Sequence, residues 1–319
     1  MANTTRSMDE FTTGKPVPVA RPRGAVLSGN TSYLVMYAIL VVGVILAMLP
    51  FFWMISASLM TYGETATRQW YPSQPQFVNY AIAWSEARFS KYFLNSVIIT
   101  AVTLTGQLLT SILAGYAFAR IRFWGRDFIF ALLLSTMMIP AMVVMIPNFM
   151  IVQGRIFPLP TAAEQGTLLA SIFGVGGSWL NSLIGITLPF MVSVFSIFLL
   201  RQFFAQIPWE LWDAARMDGA GHTRFLFQVV LPISKAPIFT VLIFAFIGAW
   251  NDFLWPLLVT TRDTWRPLMV GLWTFATEAG PETQLMMAGA VITIIPILIL
   301  YFLTQKQYTE GIATSGLKG

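Results

Sequence analysis

Long stretches without a charged side chain are the feature that most limits how this chain folds. Asp, Glu, Lys and Arg are absent from residues 24–63, 92–119, 128–154, 165–200 and 283–305. Each stretch exceeds the roughly 20 residues that a helix needs to cross a hydrocarbon core about 30 Å thick. A further apolar segment, 238–259, is interrupted by a single acid, Asp252. The pattern predicts six transmembrane helices.

The composition indicates that lipid is the solvent for most of the chain. Of the 319 residues, 56% are hydrophobic and 10% are charged, and the mean hydropathy is +0.69. Soluble domains carry about 25% charged residues. The sequence therefore predicts an all-α integral membrane protein. The predicted spans are 33–58, 92–119, 128–152, 183–204, 238–259 and 285–303.

Two parts of the chain are expected to depart from straight helices. Pro140 and Pro147 lack the backbone N–H of a helical residue, so they should kink the third predicted span. Residues 158–179 are rich in glycine and are expected to form an outer loop or a re-entrant segment.

The chain contains no cysteine and one histidine, His222. A disulfide framework is therefore excluded and a thiolate or histidine metal centre is disfavoured. The net charge of +5 follows the predicted membrane topology and needs no nucleic acid to explain it. We expect no metal, no cofactor and no nucleic-acid partner.

The distribution of basic residues predicts the orientation of the spans. With the N-terminus in the cytoplasm, 13 of the 19 Lys and Arg residues lie on the inner side. Cytoplasmic segments carry such an excess, so both termini are predicted to be cytoplasmic. The predicted domains are a flexible tail at 1–32, a transmembrane domain at 33–305 and a second tail at 306–319.

A more polar segment, 205–233, separates the fourth and fifth predicted spans. Pro208 is suited to open a helix, because proline lacks the N–H that would be unpaired there. Gly219 and Gly221 are expected to allow the left-handed turn that ends this helix, and Pro232 is expected to end a second short helix. Two short helices joined by a glycine turn predict a docking surface for another protein on the cytoplasmic side.

The same segment resembles a known family signature. Residues 213–232 are similar to the cytoplasmic motif of permease subunits in ATP-driven, binding-protein-dependent importers, which reads Glu-Ala-Ala, three residues, Gly, nine residues, Ile, any residue, Leu-Pro. Asp213 replaces the glutamate and Val229 the isoleucine, and the spacing is intact. The carbohydrate branch, of the smaller maltose-transporter permease type, is resembled at 198–204, 248–257, 309–311 and 317–319.

The resemblance implies a transport subunit that is not an enzyme, because ATP would be hydrolysed on separate chains. It implies a bacterial or archaeal cell membrane as the location. The implied partners are the lipid bilayer, a second homologous permease subunit, two copies of a cytosolic ATPase and an extracytoplasmic sugar-binding protein.

In such importers the motif forms coupling helices that enter a cleft of the ATPase, which the resemblance implies for this chain too. The implied coupling residues are Glu210, Asp213, Ala214, Ala215, Asp218, Gly219, Gly221, Leu231 and Pro232. The implied ATPase contacts of the tail are Leu317, Lys318 and Gly319.

Asn251 and Asp252 have two alternative roles. A carboxylate in mid-membrane costs about 2.5–3.5 kcal/mol on insertion scales, so Asp252 is expected to face protein or water. The pair either lines the translocation pathway or holds the bundle together through an interhelical hydrogen bond, a common use of polar residues in membranes. The outer segment 260–284 likewise either reaches toward the binding protein, with 280–282 at its tip, or is a solvated loop.

Two other functions would require features that the sequence lacks. A secondary transporter that works alone would need inverted repeats and several ionisable groups within the spans, and Asp252 is the one acid there. A membrane enzyme acting on lipid-linked substrates would need clustered acids, histidines or metal ligands near an interface. A glycine-rich Gly-Lys-Ser/Thr phosphate loop is also absent.

Overall fold

The computed structural model describes residues 29–86, 88–162, 165–278 and 282–316. These ranges consist of helices, turns and loops with two isolated β-bridges at Val175, so the all-α prediction is confirmed for them. Residues 1–28 of the predicted N-terminal tail and 317–319 of the predicted C-terminal tail lie outside the described residues, as do Gly280 and Pro281. The chain divides into two units, Met1–Phe52 and Trp53–Gly319.

The first four helices are α1 (Gly29–Ser58), α2 (Tyr62–Ala66), α3 (Val78–Glu86) and α4 (Phe89–Arg120). Residues Tyr33–Ser58 of α1 and the whole of α4 are long and apolar enough to cross a membrane, with mean hydropathies of 2.7 and 1.8. Both agree with the uncharged stretches of the sequence. A capping box fixes the start of α2, because Thr61 Oγ1 accepts the Glu64 N–H and the Glu64 carboxylate accepts the Thr61 N–H.

The next five helices are α5 (Arg126–Ser135), α6 (Ala141–Val152), α7 (Leu168–Phe173), α8 (Leu183–Thr187) and α9 (Val194–Gln206). After a 3₁₀ turn that ends at Met138, the chain bends by 102° into α6. Pro140 lies at this bend, as predicted, whereas Pro147 lies inside α6. A second bend, of 43°, separates α8 and its following 3₁₀ turn from α9, so the fourth predicted span is not one straight helix.

Five helices follow, α10 (Trp209–Met217), α11 (His222–Phe225), α12 (Leu231–Ile233), α13 (Lys235–Trp250) and α14 (Leu254–Val259). The prediction of one helix at 238–259 is wrong, because residues 251–253 separate α13 from α14. Asp252 lies in this break, with its carboxylate near the backbone N–H groups of Trp255 and Phe253.

The last two helices are α15 (Leu268–Glu278) and α16 (Thr283–Gly316). The predicted outer loop 260–284 therefore contains a helix. Its preceding turn is anchored to α4, because Asn95 Nδ2 donates to the carbonyl oxygens of Thr264 and Arg266 at 3.1 and 2.9 Å. α16 is apolar enough to cross a membrane over Thr283–Gln305 and continues as a helix beyond the domain boundary predicted at 305.

Among the described residues, three straight helices and three bent pairs of helices are long and apolar enough to cross a membrane. The bent pairs are α5 with α6, α8 with α9, and His222–Ile233 with α13, where the bend is 83°. The described chain therefore offers up to six spans.

α4 forms the centre of the second unit and packs against α9 and α13. Its close approach to α9 depends on Gly115, because a Cβ there would lie 3.1 Å from the Leu200 Cβ. Gln107 Nε2 donates to Ser196 Oγ across the same interface at 2.9 Å. This packing brings the C-terminal end of α4 beside the segment 205–233.

Candidate functional site

The segment between α9 and α13 forms two short helical pieces joined by a turn, as predicted. Pro208 directly precedes α10. Gly219 has φ +74°, a left-handed conformation that costs other residues about 1–2 kcal/mol, so the turn requires glycine here. Gly221 has φ −85° and ψ 177°, which is extended backbone. The prediction of a left-handed turn is therefore wrong for Gly221.

Pro232 does not end the second helical piece. α11 continues into a π-helical turn, Leu226–Val230, and then into α12, which contains Pro232 and ends at Ile233. Proline lacks an N–H and its ring crowds the carbonyl four residues earlier, and a wider π turn accommodates both effects. The chain changes direction at Ser234, two residues later than the sequence predicted.

One face of this segment is buried against the transmembrane helices. Phe225, Leu226 and Val230 form one hydrophobic cluster with Tyr116 of α4 and Phe204 of α9. Fully burying a side chain of this size contributes about 1.5–3 kcal/mol. The cluster therefore fixes the segment to the ends of α4 and α9, whereas a flexible linker would not be fixed in this way.

The predicted coupling residues divide between the two faces of the segment. Ala215 and Leu231 are half-buried and pack against this cluster, so they support the segment from within. The exposed members are Glu210, Asp213, Ala214, Asp218, Gly219, Gly221 and Pro232. Leu211 and Met217 add apolar area on the exposed side, with 42% and 84% of their surface accessible.

His222 connects the two helical pieces to each other and to α4. Its ring stacks on Trp212 of α10, and its Nδ1 lies 2.9 Å from the hydroxyl oxygen of Tyr116. Phe225 closes the cluster, with its ring edge-on to Trp212 at 5.1 Å. These aromatic contacts thus hold α10 and α11 together across the turn at Gly219.

Arg120, the last residue of α4, forms a second connection. Its side chain is 4% exposed, and it donates from Nε to the Phe204 carbonyl at 2.9 Å and from Nη2 to the Ile207 carbonyl. These carbonyls lie at the C-terminal end of α9, where helical carbonyls lack partners and attract cations. The guanidinium also stacks 4.7 Å from the centre of the Trp209 ring. Arg120 thereby joins α4, α9 and α10.

Sequence reasoning missed Tyr116, Arg120 and Trp212 as parts of the site. Tyr116 and Arg120 are four residues apart and therefore share one face of α4. A tyrosine and an arginine with this spacing at the end of a span could indicate a contact with a loop rich in tryptophan. The pattern becomes informative once α4 is known to contact this loop.

A cavity of about 500 Å³ lies deeper in the second unit, between α4, α9, α13 and α14. Asp252 and Gln107 belong to its lining. The Asp252 carboxylate lies near the N–H groups of its own turn, and its role in the pathway or in helix packing stays a prediction. Asn251 is exposed.

Residues 158–179 fold onto the ends of neighbouring helices. α7 has six residues, fewer than a membrane span requires. The Trp179 N–H donates to the Val152 carbonyl at 2.8 Å, and Trp265 Nε1 donates to the Ser171 carbonyl at 2.7 Å. The described part of this segment is therefore irregular around one short helix, and its place on the outer side stays a prediction.

Known proteins are similar to this chain in sequence. Residues 107–311 match the family described as binding-protein-dependent transport system inner membrane component. The diacetylchitobiose uptake system permease protein NgcG of Streptomyces coelicolor is 29% identical over 297 residues, covering 91% of each chain. The sn-glycerol-3-phosphate transport system permease protein UgpE of Yersinia pestis is 30% identical over 289 residues, covering 88% of this chain and 95% of the relative.

A third relative belongs to a transport system for arabinooligosaccharides. The arabinooligosaccharides transport system permease protein AraQ of Bacillus subtilis is 30% identical over 249 residues, covering 78% of this chain and 81% of AraQ. The matches to all three relatives extend over most of both chains. They therefore concern whole permeases rather than a shared motif.

Solved structures show the same fold. A chain of a bacterial ABC transporter that imports the acidic polysaccharide alginate superimposes with a TM-score of 0.73 at 23% identity, covering 88% of this chain and 97% of the other. A chain from the alginate transporter in complex with its alginate pentasaccharide-bound periplasmic protein gives 0.60 at 13% identity. The chain belongs to the family of inner membrane components of binding-protein-dependent transport systems, a family of transport permeases rather than enzymes.

Proposed function

We propose that this chain is one of two permease subunits of an ATP-driven carbohydrate importer in a bacterial or archaeal cell membrane. The observation that carries the proposal is the segment between α9 and α13, which has one face buried in the bundle and the other exposed. Permeases for diacetylchitobiose and arabinooligosaccharides are among its relatives, which supports carbohydrate as the substrate class.

The proposed topology has six spans, with both termini and the segment 205–233 in the cytoplasm. α13 and α14 together form the fifth span, with 16 and 6 residues. At ~1.5 Å per residue they measure about 33 Å, close to the thickness of the hydrocarbon core. The second helical piece, His222–Ile233, then lies outside the membrane. The excess of Lys and Arg on the same side supports this orientation.

The exposed face of α10 suits a protein partner. Glu210, Asp213 and Asp218 give it three acids, whereas helices that lie on anionic lipid headgroups favour Lys and Arg. Leu211 and Met217 supply apolar area between these acids. We assign this face to a cytosolic ATPase, present in two copies. A second homologous permease and an extracytoplasmic sugar-binding protein complete the proposed assembly.

The proposed coupling is mechanical. ATP-driven closure of the ATPase displaces α10, and the displacement passes to α4 and α9 because Arg120, Tyr116 and Phe204 bind the segment to both helices. Packed interfaces move as units between discrete arrangements rather than deforming continuously. α4 lies at the centre of the second unit, so its movement changes the packing of α9 and α13 around the cavity.

Charge reversal on the exposed face tests this assignment. The tagged full-length chain is purified from its native cells in mild detergent, and the ATPase that copurifies is identified by mass spectrometry and by ATP hydrolysis. Asp213→Arg should reduce the recovered ATPase about tenfold, because close opposite charges give way to like charges at the interface. Glu282→Arg, the same reversal in the 260–284 segment, is the control and should leave ATPase recovery unchanged.

The assay also separates the proposal from its main rival. Recovery of the unaltered chain without any ATPase, together with solute uptake by the lone chain in proteoliposomes, would establish a secondary transporter instead. Equal ATPase recovery for wild type and Asp213→Arg would remove the exposed face of α10 from the docking surface.

A further inference from the structure

The cavity between α4, α9, α13 and α14 has the size and composition of a ligand site. Its volume of about 500 Å³ lies within the range of about 300–1,000 Å³ for small-molecule pockets, which combine apolar walls with a few placed polar groups. Phe190, Phe195 and Phe244 contribute aromatic surface to the wall. The rings of Phe195 and Phe244 meet edge-to-face at 5.8 Å, which fixes their orientation.

Neutral hydrogen-bonding groups occupy one side of the cavity. Gln107 Nε2 donates to Ser196 Oγ at 2.9 Å, and Ser196 Oγ lies 3.1 Å from Ser193 Oγ. All three residues belong to the lining. An amide and two hydroxyls each combine donor and acceptor capacity, which matches the hydroxyl groups of a sugar.

Asp252 provides the charge of the cavity. It is the one ionisable side chain among the described lining residues, and Lys and Arg are absent from that set. Asp252 lies in the short turn between α13 and α14, with its carboxylate near the backbone N–H groups of Trp255 and Phe253. A phosphate or carboxylate on a bound solute would meet this acid without a described cation to offset the repulsion. A sugar hydroxyl would instead donate a charge-assisted hydrogen bond to it.

We propose that this cavity binds uncharged carbohydrate and that Asp252 is the residue that excludes anionic solutes. This inference rests on the proposed function in taking the solute to be a carbohydrate, and it narrows that class. It also separates this chain from two of the proteins it is similar to, whose solutes are sn-glycerol-3-phosphate and the acidic polysaccharide alginate.

The absence of cysteine makes a direct test possible. A cysteine is introduced at Ala249, which lines the cavity and lies on α13 three residues before Asp252. The full-length chain, purified with its copurifying subunits, is then treated with two thiol reagents of matched shape. One is a glucosyl methanethiosulfonate and the other is the corresponding glucuronyl compound, which differs by one carboxylate.

The expected result has two parts. Modification of Ala249→Cys by the glucosyl reagent should be about tenfold faster than by the glucuronyl reagent, as expected for a nearby fixed charge of the same sign as the glucuronate. Its rate should also saturate as the glucosyl reagent concentration rises, because a bound complex forms before the reaction. Adding Asp252→Asn should bring the two rates within twofold, since the amide has nearly the same shape and carries no charge.

The control is Ala170→Cys, in a separate polar cavity whose lining includes Arg262. The glucuronyl reagent should not be disfavoured there. Equal rates of the two reagents at Ala249→Cys, a ratio that survives Asp252→Asn, or a rate that rises without saturation would each overturn the inference. If Ala249→Cys does not yield folded protein, Ser193→Cys repeats the test from the side of the cavity that α9 forms.

Failure of the proposed function would be visible separately. ATP-dependent uptake by the unaltered complex is measured without thiol reagents, so a lack of any carbohydrate uptake would count against the importer alone. A lost labelling preference in a complex that does import carbohydrate would count against this cavity alone.

Discussion

The imidazole of His222 stacks on the indole of Trp212, with ring centroids 4.3 Å apart and an angle of 14° between the planes. Trp212 lies on α10 and His222 begins α11, so this contact bridges the turn at Gly219. The same imidazole reaches the hydroxyl of Tyr116 on α4. The two helical pieces are therefore joined to each other and to the bundle through one ring.

Replacement of Trp212, the stacking partner of His222, should uncouple ATP hydrolysis from solute transport. Trp212→Leu loses the contacts of Trp212 to His222 and Phe225, so we expect a loss of about 1–3 kcal/mol of stability. ATP hydrolysis per molecule of solute imported should rise in the reconstituted complex, because a loosened α10 moves without α4. Trp124→Leu is the control, since Trp124 is 97% exposed and should change neither quantity.

The hydrogen bond between His222 and Tyr116 is measurable by a double-mutant cycle. Tyr116→Phe and His222→Phe each remove one partner while keeping an aromatic ring in place. The coupling energy should be about 0.5–1.5 kcal/mol, the usual net value of one such bond. Thermal unfolding of the two single variants and the double variant gives this energy. Strict additivity would show that the bond adds nothing to the attachment.

Substitution of Arg120 should lower both the thermal stability of the protein and the coupling of ATP hydrolysis to transport. Arg120→Lys keeps the charge but replaces a planar fork with a single ammonium group, which cannot reach both carbonyls and stack on Trp209. The midpoint of thermal unfolding should fall, with a loss of about 1–3 kcal/mol for the carbonyls left unpaired. Arg122→Lys on the exposed neighbouring turn is the matched control. Equal unfolding midpoints for the two variants would show that Arg120 does not join α4, α9 and α10 as described.

Gly219 and Gly221 offer a matched pair for testing the turn. An added Cβ would meet nothing within 4 Å at either position, so the two differ in backbone conformation. Gly219→Ala forces a Cβ into a left-handed residue at a cost of about 1–2 kcal/mol, and solute uptake should drop while membrane insertion stays normal. Gly221→Ala fits extended backbone and should transport normally. The reverse order of effects would mean that the turn does not depend on the conformation of Gly219.

The capping box at the start of α2 predicts a pH effect at the other end of the second unit. The N–H groups of Thr61 and Ser73 donate to the Glu64 carboxylate and lower its pKa from 4.5 to about 2. Because the folded-state pKa is the lower one, the stabilisation is complete above pH 4.5 and is lost as the pH falls toward 2. A carboxyl ¹³C titration of Glu64, assigned by its absence in Glu64→Gln, should show this midpoint. A midpoint near 4.5 would mean that the box does not form.

Several features of the fold follow from local chemistry. The uncharged stretches locate α1, α4 and α16, because a long apolar helix needs no tertiary partner to be recognised. Pro140 marks the bend before α6, and Pro208 marks the start of α10, since a missing N–H acts within one turn. The exposed acids of α10 can also be predicted from the sequence, because their pattern depends on the family motif and helical period alone.

Other features could not be predicted from hydropathy and short motifs. The break after Trp250 interrupts a segment that is apolar on both sides, so hydropathy does not reveal it. Pro232 lies inside a helix because a π turn precedes it. The helix α15 lies where a loop was predicted, tied to Asn95 of α4 through hydrogen bonds that span more than 160 residues of sequence.

The sequence by itself determined that the chain uses lipid as its solvent, that the spans run between charged segments, and that one loop carries an importer motif. Those properties are local, since each depends on the side chains of one continuous stretch of sequence. Only the tertiary structure decided that Arg120, Tyr116 and His222 connect this loop to α4 and α9, and that Asp252 lines a cavity. Burial and ring contacts depend on which distant helices meet, and that is fixed by packing of the whole bundle.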